Sequence, residues 1–189
     1  MATEPAALVR ILGYRETVSL DARHRFRLPD GLASALYVEQ GRVAGTSGVP
    51  GTVLNRLAFY FVPGTNRRIF LYPACNIEVA IERFESPPAG VDPEQLRAAR
   101  DYFYAAMSFV EADRQNRLQI PEHLVQHAGL EPHERQVVLV SHCHWLSIAR
   151  VSVAADLDRR GREALDAVGP SVLDPVMPQQ PPSAQDGAQ

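Results

Sequence analysis

Residues Val18–Pro29 read VSLDARHRFRLP, and Val110–Pro121 read VEADRQNRLQIP, one pattern displaced by 92 residues. Four of the twelve positions are identical, namely Val18/Val110, Asp21/Asp113, Arg25/Arg117 and Pro29/Pro121. Three more keep apolar character, among them Phe26/Leu118 and Leu28/Ile120. Self-similarity at a fixed offset is the mark of a duplicated supersecondary unit. Here the unit is a short alternating strand ending at an Asp, a tight turn carrying Arg, and a second alternating strand. A Pro then opens a helix. Two such units in one chain predict a pseudo-dimer folded as a single body.

The turns carry the chemistry. An Asp at a turn start accepts hydrogen bonds from backbone N–H groups two residues on. The residue before the Arg is expected to need a left-handed backbone, which Asn116 tolerates better than His24. Asp21, His24, Asp113 and Asn116 are therefore read as turn-forming residues. Arg23, Arg25 and Arg27 alternate with period two and can line one strand face, with Arg15 close by in sequence. Two readings of the arginines stand side by side at this point. They can recognise a polyanion, or they can pair with the aspartates and fasten the turns, because such surface pairs are common and individually weak.

Outward from the repeats, strand character runs from Leu8 to Leu20. Pro29 starts a short helix, and Val38–Asn55, rich in glycine, reads as a long surface loop. Leu57–Val62 and Arg68–Tyr72 flank turn residues Gly64 and Asn66 and predict a β-hairpin. A helix is expected from just after Cys75 to Phe84. Asp92, Pro93 and Gln95 form a capping-box-like start for the next helix, whose apolar face is Leu96, Ala99, Phe103 and Ala106. After the second repeat, a helix from Pro121 to His127 stops at Gly129. Gln136–Ser141 and His144–Ile148 predict a second hairpin, followed by a helix from Ser152 to Ala167. The expected organisation is a flexible leader (1–12), a first repeat (13–91, with the loop at 38–55), a second repeat with its preceding helix (92–168), and a disordered tail (169–189) rich in Pro and Gln.

Composition narrows the function classes. With 189 residues the chain can bury a substantial core. All 19 basic residues are Arg and the net charge is −3, so any contact with nucleic acid must come from a local patch. Cys75 and Cys143 lie far apart with no CxxC spacing, which points to a reducing compartment rather than a disulfide scaffold. No apolar run suggests a signal peptide or membrane span.

The strand–Asp–turn–Arg–strand–Pro unit, present twice, resembles the MraZ family, tandem-repeat relatives of the AbrB-type regulators. The resemblance covers residues 13–165. It rests on the two motifs together with Ile69–Pro73, Phe103–Ala106 and Gln126–Leu130, in that order and spacing. It implies an α+β fold of two AbrB-like swapped-hairpin β-barrel halves with flanking helices, forming an intrachain pseudo-dimer. It also implies ring-like homo-oligomers and sequence-specific binding of double-stranded DNA at repeated promoter sites near division and cell-wall genes. A cytoplasmic, nucleoid-associated protein without cofactor follows. The implied DNA-binding set is Arg15, Arg23, Arg25, Arg27, Arg114 and Arg117. The sequence departs from the family where the motif glycine is replaced by His24 and Asn116, and where Gln115 replaces a lysine, with Arg114 adjacent.

Two alternatives accompany this reading. One is a diverged ring-forming scaffold without DNA binding. The other is a metal site built from His123, His127 and His142, because i, i+4 histidines on a helix and alternating histidines on a strand are ligand spacings. His123 and His127 lack the glutamate of a zinc-protease helix between them, and surface or capping histidines are the commoner outcome. No phosphate loop, nucleophile elbow or Ser/His/Asp order is present, so the chain is not read as an enzyme.

Overall fold

The computed structural model describes residues 8–46, 56–87 and 89–172. These fall into two compact units, one ending at Ala154 and one starting at Ala155. In chain order the elements are β1 (Arg15–Ser19), β2 (Arg25–Arg27), α1 (Asp30–Thr46), β3 (Ala58–Pro63) and β4 (Ile69–Pro73). A 3-10 turn (Ala74–Asn76), α2 (Glu78–Glu85), α3 (Pro93–Ala106), β5 (Ser108–Glu111) and β6 (Arg117–Gln119) follow. The remainder is α4 (Glu122–Ala128), β7 (Gln136–Ser141), β8 (Leu146–Arg150) and α5 (Val151–Val172). The result is a mixed α/β fold with antiparallel sheets. Among the described residues no helix is long and apolar enough to cross a membrane.

The strands that flank each motif do not pair with each other. β1 pairs with β7 and β2 with β6, while β5 pairs with β3, so every motif strand joins the opposite half of the chain. The six-stranded sheet runs β1-β7-β8-β4-β3-β5 and the second sheet is β2-β6 alone. The order is a palindrome. Val18 faces Val137 as Val110 faces Phe59, and Leu20 N–H donates to the Arg135 carbonyl as Ala112 N–H donates to that of Leu57. Equivalent motif residues thus lie 92 apart, but their sheet partners lie only 78 apart. The missing 14 residues separate motif from hairpin in the first half, where α1 runs far longer than α4.

Alternation explains which side chains meet. Phe59, Phe61, Ile69 and Leu71 join Val137, Leu139, Leu146 and Ile148 on one sheet face, over Phe26, Leu28, Leu118 and Ile120. Leu32 and Leu36 of α1 and Leu124 and Val125 of α4 close the same core. The intervening residues Tyr60, Val62, Phe70 and Tyr72 face the other way and pack with Ile77, Phe84, Phe103 and Trp145. A sheet with apolar residues on both faces is covered on both.

Several expectations are corrected. Residues 38–46 are helix rather than loop, because α1 continues to Thr46; residues 47–55 lie outside the described set. Glycine at 41 and 45 does not break a helix whose buried Leu32, Ala33 and Leu36 anchor it. Strand structure begins at Arg15 rather than Leu8. Val9 and Ile11 are nonetheless buried, and Ile11 bridges to Cys143, so this part of the leader is packed in the core. Asn76, fully buried, holds it there by accepting from Val9 N–H at 3.0 Å and donating to the carbonyls of Val9 and His144 at 2.8 and 2.9 Å. Cys75 itself lies in the 3-10 turn Ala74–Asn76, and the expected helix, α2, starts only at Glu78. α5 passes the expected end at Ala167 and reaches Val172; residues 173–189 lie outside the described set. At α3 the Asp92 side chain accepts from the N–H of Glu94 and Gln95, with Pro93 at the first position.

Candidate nucleic-acid interface

Each turn is built by one aspartate. Asp21 Oδ1 accepts the backbone N–H of Arg23 (2.8 Å) and Arg25 (3.0 Å), and Oδ2 accepts Arg25 Nε–H at 2.7 Å. Asp113 repeats this with Gln115 N–H (2.8 Å), Arg117 N–H (3.0 Å) and Arg117 Nε–H (2.6 Å). The backbone closes behind them, from Asp21 N–H to Arg25 carbonyl and from Asp113 N–H to Arg117 carbonyl, both at 2.9 Å. Closing so tight a loop puts His24 at φ 54° and Asn116 at φ 55°, in the left-handed region. Neither site is glycine, and left-handed backbone costs an L-residue roughly 1–2 kcal/mol.

Hydrogen bonds to the ionised form depress a carboxyl pKa. The Arg25 N–H, then the Arg23 N–H and the Arg25 guanidinium, hold Asp21 down from 3.8 to about 2. The Arg117 N–H, then its guanidinium and the Gln115 N–H, hold Asp113 at about 2.

The left-handed residues also tie the halves together. The His24 carbonyl accepts from Ile120 N–H at 3.1 Å, and the Asn116 carbonyl accepts from Leu28 N–H at 2.8 Å. Between these bonds β2 and β6 pair as Arg25 with Gln119, Phe26 with Leu118 and Arg27 with Arg117. Phe26 and its repeat equivalent Leu118 therefore face each other on a local two-fold axis, 1% and 0% exposed. Strand alternation sends the other side chains outward. One face of the ribbon carries Arg25, Arg27, Arg117 and Gln119.

This places the expected residues as follows. Arg25, Arg27 and Arg117 share the ribbon face, with Arg27 and Arg117 directly opposite each other. Like charges directly opposite on a ribbon repel, and each of the two is drawn aside by a carboxylate, Asp30 for Arg27 at 2.7 Å and Asp113 for Arg117. Arg23, expected on the same strand face as Arg25 and Arg27, instead lies exposed in the turn, because Asp21 takes its N–H before β2 begins at Arg25; Arg114 is exposed in the second turn. Arg15 is not on the ribbon but at the start of β1, opposite Val140. Gln119 was not singled out from the sequence, although it is the repeat equivalent of Arg27 and alternation marks it as outward.

Two open grooves flank the ribbon. One, of about 390 Å³, is lined by Glu16, Thr17, Val18, Ser19, Arg27 and Pro29 among others. The second, of about 470 Å³, is lined by Arg25, Phe109, Val110, Glu111, Asp113, Arg117, Gln119 and Pro121. Most residues of the second are repeat equivalents of the first.

The histidines do not converge. His123 Nε2 lies 2.9 Å from the Ala106 carbonyl, and His127 bridges the Gly64 carbonyl and the Tyr102 hydroxyl. His142 stacks on Trp145 and bonds Ser147 Oγ at 2.8 Å. Burial, then the nearby Arg68 charge, pushes the His142 pKa down. Among the described residues no three His, Cys, Asp or Glu side chains gather as a metal site. Each of these histidines makes a separate contact within the fold.

No protein-family model matches the chain. It is 33% identical over 85 residues to the transcriptional regulator MraZ of Lachnoclostridium phytofermentans. That match covers 44% of this chain and 58% of the relative, so the chain spans somewhat over half the length of the curated protein it matches. Joined to the twice-built Asp–Arg turn, this similarity supports a diverged member of the MraZ family.

Proposed function

We propose that this protein is a sequence-specific DNA-binding transcriptional regulator of MraZ type, and that its β2–β6 ribbon meets double-stranded DNA. The observation that carries the reading is the ribbon face itself, with Arg25, Arg27, Arg117 and Gln119 standing over the buried Phe26 and Leu118. A two-stranded antiparallel ribbon is an element that the major groove admits, and arginine and glutamine are its principal base readers. Asp21 and Asp113 hold the Nε edge of Arg25 and Arg117, which orients each guanidinium and leaves Nη donors for an acceptor. Arg23 and Arg114 suit phosphate contacts from the turns, and Arg15 a flanking phosphate from the sheet edge.

The scaffold under this reading is a pair of AbrB-like swapped hairpins, 13–91 and 92–168, closed into a barrel. Its support is the palindromic strand order and the exchange of every motif strand between halves. Subunits assemble as a ring-like homo-oligomer in the cytoplasm, associated with the nucleoid, and act without a cofactor at repeated promoter sites near division and cell-wall genes. Repetition matters because individually weak contacts add through avidity.

A specific observation favours a second reading, the ring-forming scaffold without DNA binding: both turn arginines are already engaged by aspartates. Fluorescence polarisation separates the two, using the promoter of the protein's own operon and an unrelated duplex at two salt concentrations. Arg25→Ala or Arg117→Ala should weaken binding by about 1–3 kcal/mol and relax specificity if the guanidinium reads a base. A phosphate contact would instead give an equal loss on both duplexes and a salt slope lower by about 1. Arg159→Ala is the control, since Arg159 is paired with Asp156 and Glu163 on its own helix. Wild-type protein that binds neither duplex at low salt leaves the scaffold reading in place.

A further inference from the structure

The two turns share a backbone but treat its left-handed residue differently. Asn116, at φ 55°, is braced, because its Oδ1 accepts from the Tyr37 hydroxyl at 3.0 Å. The residue 92 positions beyond Tyr37 is Gly129, so the first turn has no equivalent brace for His24 at φ 54°. Among the described residues the His24 ring makes no hydrogen bond, although its carbonyl is fixed by Ile120 N–H at 3.1 Å and the residue is partly exposed. A left-handed backbone is costly for an L-residue, and here the side chain returns no hydrogen bond within the fold. Strain of that kind collects at functional positions. The place fits, since His24 stands between Arg23 and Arg25 where the turn passes into β2.

Resting on the DNA-binding reading, we infer that His24 is a phosphate-binding residue of the first turn, protonated as it meets the duplex backbone, so that one turn of the chain binds DNA in a pH-dependent way and the other does not. Histidine is the side chain whose charge changes in the physiological range. The imidazolium presents two N–H donors, and a charge-assisted bond to a phosphate oxygen favours that form. The amide of Asn116 has no proton to exchange. The carboxylate of the first turn is already engaged, because Asp21 accepts both N–H groups and the Arg25 guanidinium. The remaining charges of that turn are Arg23 and Arg25, which draw phosphate to it. From the facing strand, β6 brings Gln119 opposite Arg25, and α4 beyond it begins at the exposed Glu122. This backbone angle admits other side chains, since Arg67 also adopts φ 54°.

The test is fluorescence polarisation of the full chain on the promoter duplex of its own operon and on an unrelated duplex. Wild type, His24→Asn and His24→Arg are compared from about pH 6 to about pH 8, each at several salt concentrations. Both turns stay closed in that range, because Asp21 and Asp113 have pKa values of about 2. The other histidines, Glu122 and the turn arginines are common to all three proteins, so differences between them read position 24. Wild-type affinity should fall with pH more steeply than that of His24→Asn on both duplexes, by up to about tenfold per pH unit for each engaged chain, the limit for one proton taken up. At the acid end the wild-type salt slope should exceed that of His24→Asn by about 1, and the two should converge at the alkaline end. His24→Arg, with its fixed charge, should keep the acid affinity of the wild type throughout. Equal pH and salt dependence in wild type and His24→Asn, or a His24→Arg protein that binds no more tightly than wild type at the alkaline end, overturns the assignment while DNA binding stands. Wild type that binds neither duplex at the acid end and low salt overturns both.

Discussion

At the first turn the left-handed position is His24, flanked by Arg23, Arg25 and Arg27. At the second it is Asn116, flanked by Gln115, Arg117 and Gln119. The backbone bonds of the two turns agree within a few tenths of an ångström, down to the carboxylate that takes two N–H groups and one guanidinium. Their surroundings do not agree. Asn116 Oδ1 accepts from the Tyr37 hydroxyl at 3.0 Å, a brace supplied by the long helix α1. The residue 92 positions beyond Tyr37 is Gly129, where α4 has already ended in a left-handed cap. The difference teaches that duplication preserved what the backbone requires, while side chains facing solvent and the extra helical turns were free to diverge.

The largest expected effect breaks the axis shared by both turns. Phe26→Ala should cost about 3–5 kcal/mol and Leu118→Ala about 2–5 kcal/mol, since each empties a fully buried site. Because the two side chains face each other, the double variant should deviate from additivity in a denaturant double-mutant cycle. Strict additivity would mean that the halves are held together elsewhere.

A smaller effect distinguishes the turns. His24→Gly should stabilise by up to about 1 kcal/mol, a rise of roughly 2–4 °C in Tm, because glycine adopts φ 54° without a Cβ clash. Asn116→Gly should gain less, since asparagine tolerates the left-handed region and the Tyr37 bond is lost. Equal shifts would erase the distinction between the turns.

The smallest effect concerns acid, where the turns should behave alike. Both aspartates have folded pKa values of about 2, below the ordinary 3.8. Their contribution is therefore complete above about pH 4 and is lost as pH falls toward 2. Carboxyl-carbon chemical shifts followed through that range should show Asp21 and Asp113 titrating together. A midpoint near 4 for either one would show that its turn is open in solution.

Much of this architecture was legible in the chain. The repeat exposed the two Asp–Arg turns because a tight closure admits few residue types at the Asp and at the left-handed position. The apolar character kept at Phe26/Leu118 and Leu28/Ile120 marked the motif strands, and Asp92–Pro93 and Gly129 marked helix ends by local hydrogen-bonding rules. The resemblance carried by those motifs agrees with the similarity to MraZ. What local rules could not reach was anything set by distant partners. Glycines at 41 and 45 read as loop, yet α1 continues through them, anchored by Leu32 and Leu36 against a core that includes residues of the other half. Val9 and Ile11 lay within the strand character read from Leu8, but nothing local showed what would hold them, and it is Asn76, 67 residues from Val9, that fixes this segment.

The sequence by itself determined the repeat, the turn-forming aspartates, the left-handed positions and the apolar positions of the motif strands, because these depend on neighbours within a few positions. Only the tertiary structure decided which strands pair. Exchange of β2 and β6 across the two halves set Arg27 opposite Arg117 and Arg25 opposite Gln119, and brought Phe109 and Gln119 to one groove. The physical reason is that strand register is chosen by burial of the whole apolar face, and a single shift would turn every arginine of the ribbon into the core.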